Sequence, residues 1–120
     1  MTTTDGLPEL PGIDKAEGLK RMMNKAALYE KVLRDFHARF ANDSAAIRET
    51  IASGDFSAAE RRAHSAKGLA ATIGAGALQS AAHQLEIALG RSERPADSLV
   101  DRFEQELQQA IDGIARGFGI

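Results

Sequence analysis

The chain has 120 residues, 15 Lys and Arg against 17 Asp and Glu, a formal charge of −2 and no cysteine. That length suits one domain with a real core and leaves no room for an elaborate catalytic domain beside it. The near-balanced charge offers no broad attraction for a nucleic-acid backbone or an anionic membrane, and the missing thiols exclude disulfides, thiolate zinc sites and a cysteine nucleophile while suiting a reducing compartment.

A composition rich in Ala, Leu, Glu, Arg and Gln and without Trp favours helices over strands, so an all-α protein is expected. Residues 1–12 carry Pro8, Pro11 and two glycines and are expected as a flexible tail or linker, with the domain running over 13–120. The start has no apolar core of signal-peptide type, and no later stretch approaches the roughly 20 apolar residues of a membrane span. A cytoplasmic protein without membrane contact is the resulting expectation. Asp14 can cap a short helix running to about Met23.

From Ala26, Leu28, Val32, Phe36 and Phe40 repeat every four residues, and Ile47 and Ile51 continue the row after a polar break at Asn42-Asp43-Ser44. This predicts one kinked helix or two in series. Gly54 is a natural stop and Asp55 a natural cap for the next helix, with Ser57 and Glu60 as a second capping option. The buried stripe of that helix is Phe56, Ala59, Ala63, Ala66, Ala70 and Ile73, the seam of a close-packed bundle. Gly74 and Gly76 break it. Leu78, Ala81, Leu85 and Ala88 define the following helix up to Gly90, and after a loop through Pro95 the last helix carries Val100, Phe103, Leu107, Ile111, Ile114 and Phe118. The elements imply an antiparallel up-down-up-down four-helix bundle with a short extra N-terminal helix.

Against the stripe centred near Ala63, His64 falls outside the buried arc and should face solvent. Lys67 and Gly68 lie one turn later, Glu60 and Arg61 one turn earlier, and Ala71 two turns on along the same face. A lone exposed histidine is most often a solvated polar residue. The conjunction of outward His64, Lys67 at i+3, and Gly68 at i+4 points instead to a ring presented to a partner. Glycine inside a helix costs on the order of 1 kcal/mol relative to alanine, so Gly68 invites a reason beyond the fold.

His64, Lys67, Gly68 and Gly74 resemble the histidine-containing phosphotransfer (HPt) domains of multistep two-component relays. Pro11-Gly12-Ile13-Asp14, Gly54-Asp55-Phe56 and Leu85-Glu86 extend the resemblance over about residues 11–92, whereas Ala66 stands where family members often carry a larger apolar residue. The resemblance implies that His64 accepts a phosphoryl group from the aspartyl phosphate of a receiver domain and passes it to another receiver. Lys67 would neutralise phosphoryl charge, and Glu60, Arg61, Lys67, Gly68 and Ala71 would form the docking face. Glu86 lies as far after the turn at Ala75 as His64 lies before it, so the two should sit at one level. In the family this position can accept a hydrogen bond from the inner ring nitrogen. No cofactor is expected on this chain; the Mg²⁺ such transfer needs would belong to the receiver.

His83 falls opposite Lys67 and His37 lies on another helix, and no His pair or Glu-x-x-His spacing suggests a metal site. Arg61-Arg62, without interleaved aromatics, reads as local steering for an acidic receiver pocket rather than a nucleic-acid contact. A histidine-kinase dimerisation helix would carry an acidic residue after the histidine and a proline several positions on, but Ser65 follows and no proline appears between His64 and Pro95. No Gly-rich nucleotide segment is present, so a carrier is expected rather than a kinase, and a monomer, because the apolar stripes can be consumed within one bundle. The alternatives are a helical adaptor that binds a partner through the His64/Gly68 face without chemistry, and a domain using His64 as a general base.

Overall fold

The computed structural model describes residues 7–120, which form α1 (Lys15–Arg21), α2 (Ala26–Phe40), α3 (Asp43–Ala52), α4 (Phe56–Ile73), α5 (Gly76–Leu89) and α6 (Asp97–Phe118). Among the described residues there is no strand. The Asp14 carboxylate accepts from the Glu17 N–H at 3.1 Å and starts α1, as expected. The helix stops two residues before Met23, because Met23 and Asn24 take φ of 55° and 59° and turn the chain toward α2.

The core face of α2 is Tyr29, Leu33, Phe36 and Phe40, not the row that begins at Leu28. Leu28 is exposed and Val32 half-buried. A strict four-residue step drifts by about 40° each time around the helix, whereas the 4, 3, 4 spacing from Tyr29 stays within one arc. The fully buried Tyr29 donates its hydroxyl hydrogen to the Ile73 carbonyl at 2.7 Å, which satisfies an end group of α4. After the break at Ala41 and Asn42 the chain resumes as α3, two helices in series. Each packs against both α4 and α6, so together they form one wall of the bundle.

Gly54, at φ 81°, ends that wall, and the Asp55 carboxylate caps α4 through the Ala58 N–H at 3.1 Å. The expected stripe of α4 is buried from Ala59 to Ile73, with Phe56 half-buried against the core. These methyl-sized residues let α5 approach closely. At the far end Gly74 adopts φ 87° and its carbonyl accepts from the Asp14 N–H at 2.8 Å. A Cβ on Gly74 would collide with the Asp14 carbonyl, so this glycine locks the start of α1 across the end of α4.

Helix α5 packs between α4 and α6, and α6 returns to α2 and α3, closing the four-walled bundle that α1 caps. The molecule measures 47 × 24 × 20 Å. Arg48 ties α3 to Asp101 and Glu104 of α6 at 2.8 and 2.6 Å. The expected tail needs correction. Residues 1–6 lie outside the described residues, but Leu10 is 3% exposed in the core, and Pro8 and Pro11 pack against Gly117 and Gly113 of α6. The packed domain therefore begins before residue 13, because the two α6 glycines leave a bare strip of helix on which the prolines and Leu10 can lie.

Candidate functional site

Ala63 and Ala66, on either side of His64, are fully buried, which fixes the rotation of α4 and turns His64 outward. Its side chain is 67% exposed. On the neighbouring helix, Leu85 and Leu89 are buried and Glu86 stands beside them at the α4–α5 seam, 17% exposed. Its Oε2 lies 2.6 Å from His64 Nδ1. Lys67, its side chain 26% exposed, sets Nζ 2.6 Å from Oε1 of the same carboxylate, off the hydrogen-bond direction and therefore as an ion pair.

The electrostatics fix the tautomer. Burial alone pushes the Glu86 carboxyl up, but the adjoining Lys67 ammonium and the hydrogen-bonded His64 ring outweigh it and hold the group below its usual value. An ionised carboxylate only accepts, so Nδ1 carries the ring proton and donates it. Nε2 is left with its lone pair on the solvent side, with no hydrogen-bond partner among the described residues. A neutral ring so held is a nucleophile of fixed orientation.

Around this centre, Gly68 is exposed, and nothing lies within 4 Å of the position a Cβ would take. The notch has no structural occupant to explain it. Arg61 is exposed and donates to Ser57 Oγ at 3.0 Å, Glu60 is half-buried with Oε2 beside Gly90, and Ala71 is half-buried. Glu60, Arg61, His64, Ser65 and Glu86 line a shallow hollow, and Lys67, Gln79, Ser80 and the exposed His83 line another. Lys67 is held by Glu86 rather than standing as a free cation, whereas Arg61 forms no ion pair among the described residues. His37 lies apart on α2.

Sequence reasoning passed over Arg39 and the Asp43–Arg62 pair, 2.9 Å apart, which border the same face of α4. The signal available was the polar break at Asn42-Asp43-Ser44: a carboxylate at a helix junction, opposite Arg61-Arg62, invites an ion pair.

The fold and site define an all-helical bundle protein that displays one carboxylate-anchored imidazole on an outer helix face. The model of one family, described as the Hpt domain, matches residues 31–116, and the chain belongs to that family. Hpt domains are phosphocarrier modules of two-component phosphorelays and interact with receiver domains. Searches of curated proteins and of solved structures found no match.

Proposed function

We propose that His64 is the phosphoryl acceptor and that this chain carries phosphate between receiver domains. The observation supporting this reading is the exposed ring whose Nδ1 is held by Glu86 at 2.6 Å, with Nε2 outward. In the forward step Nε2 forms a bond to phosphorus as the bond from phosphorus to the receiver's aspartyl oxygen breaks, and the aspartate leaves as a carboxylate. The ring keeps its Nδ1 proton and becomes cationic, and Glu86 balances that charge. Lys67, paired with the other oxygen of the same carboxylate one turn from His64, offsets charge on the phosphoryl oxygens, and the open notch at Gly68 admits the receiver's active-site edge. Transfer onward is the reverse step on a second receiver. Mg²⁺ belongs to the receiver, and the chain needs no ATP site of its own, as suits a cytoplasmic carrier.

The test is incubation with phosphorylated receiver domains, followed by assay for acid-labile, alkali-stable phosphate on this chain. Label on the native protein and none on His64→Gln is the expected result. Label persisting on His64→Gln rejects the assigned residue, and no label from any receiver favours the adaptor reading.

A further inference from the structure

Beside the His64 face, the end of α2, the start of α3 and the outer side of α4 enclose a hollow of about 340 Å³ lined by Arg39, Phe40, Asp43, Ala58, Arg61, Arg62 and Ser65. We propose that this hollow is a second docking contact for the receiver, taking a carboxylate-bearing loop of that domain while its aspartyl phosphate reaches His64. The proposal rests on the phosphoacceptor reading above and adds the residues that grip the partner away from the reacting atoms.

Three observations carry it. First, Arg61 and Ser65 line both this hollow and the one holding His64 and Glu86, so the two are contiguous, and a domain seated over His64 overhangs the arginines. Second, three guanidinium groups converge here against one carboxylate in a chain of net charge −2. Among the described residues neither Arg39 nor Arg61 has an acidic partner. The Arg39 guanidinium lies 5.3 Å from the Phe40 ring centroid, which steadies an exposed cation at the rim. The α3 N-terminus, whose Asn42 makes no side-chain cap, adds a positive pole at the same point.

Third, the hollow's own carboxylate is committed to Arg62 and leaves the other two arginines open to a partner. Asp43 is 8% exposed; its Oδ1 accepts from Arg62 at 2.9 Å, but its Oδ2 is buried without a hydrogen-bond partner. Burial pushes this carboxyl up even with Arg62 and Arg39 nearby. An acidic side chain on a receiver loop supplies what Asp43 does not, a carboxylate within reach of Arg39 and Arg61.

The experiment compares two routes to phosphohistidine on Arg39→Glu, Arg39→Lys and the native chain. Phosphoramidate, a small donor, needs no docking, whereas transfer from each phosphorylated receiver domain of the host does. The expected result is unchanged labelling by phosphoramidate and an unchanged unfolding midpoint. For Arg39→Glu, KM for the receiver rises about tenfold with little change in kcat, and the difference shrinks at high salt. Arg39→Lys, which keeps the charge, stays near the native KM. A native chain that exchanges phosphate with a receiver while Arg39→Glu does so equally well overturns the docking contact and leaves the acceptor reading intact. So does inorganic phosphate binding in the hollow, seen by NMR, without any change in KM. His64 left unlabelled by both routes overturns the acceptor reading and the docking contact with it.

Discussion

At the scale of single residues, the site is an arrangement of one carboxylate between two nitrogens. Glu86 meets His64 Nδ1 and Lys67 Nζ, each at 2.6 Å, so the glutamate stays ionised and the ring stays in the Nδ1–H form. Glu86→Ala removes the acceptor that selects this tautomer. Imidazole ¹⁵N shifts are expected to move toward the ordinary mixture of tautomers, with transfer slowed roughly tenfold or more; unchanged shifts would mean the contact does not set the tautomer. Gly68 offers a cleaner separation of fold from function. Its absent side chain leaves open space, so Gly68→Gln should keep the helix and gain up to about 1 kcal/mol in stability while slowing transfer from a receiver ten- to a hundredfold, by estimates on the order of helix propensity and misplacement costs. Thermal unfolding and transfer kinetics on the same preparation check both halves. His64, Lys67 and Gly68 were legible as a pattern because they lie within five positions of one helix, where spacing alone sets which side chains are neighbours.

At the scale of elements, helix boundaries followed chemistry that is local in the chain. Asp14 and Asp55 cap where their position before an amphipathic run suggests, and Gly54 and Gly74 take the left-handed conformation that stops a helix. The facing of α2 was less legible, since Leu28 and Tyr29 are both plausible first members of an apolar row and only packing chooses between them. The choice of Tyr29 gives the bundle a polar lock: its hydroxyl joins α2 to the end of α4 through the Ile73 carbonyl. Tyr29→Phe strands that carbonyl and is expected to cost about 1–3 kcal/mol in urea unfolding. Burial, with the Asp14 charge nearby, pushes the Tyr29 hydroxyl from 10.0 up to about 12. Because the unfolded chain then releases this proton first, the stabilisation is intact below pH 10 and is lost as pH rises through 12. The unfolding midpoint should fall across that window in the native chain and fall less in Tyr29→Phe.

At the scale of the whole molecule, four helical walls, one of them made of α2 and α3 in series, consume the apolar stripes, while the segment before α1 closes over α6. The exposed bridges of Arg48 to Asp101 and Glu104 contribute little, about 1 kcal/mol or less, as charges at the surface do. Leu10 contributes more, since it is nearly as buried as the helix cores. Leu10→Ala is expected to lower global stability by about 2–3 kcal/mol, read as a shifted denaturation midpoint with an unchanged slope. A loss below about 0.5 kcal/mol would mean that the segment lies on the bundle without supporting it. Its burial was hidden in the sequence because two prolines and a glycine around one leucine read as linker, and the partner surface is created by glycines a hundred residues away in α6.

Periodicity, caps and the His64 pattern come from interactions between residues a few positions apart, and for that reason the sequence by itself determined the helical class, the order of elements and the outward histidine. Tertiary structure alone decided which charges meet. The rotation and level of α5 against α4 bring both His64 and Lys67 onto Glu86, and the junction of α2 with α3 sets Arg39 and the half-satisfied Asp43 beside Arg61 and Arg62. A shift of one residue along either helix moves a side chain about 1.5 Å and turns it by about 100°, enough to part these groups, and only the close packing of the alanine seam fixes that register.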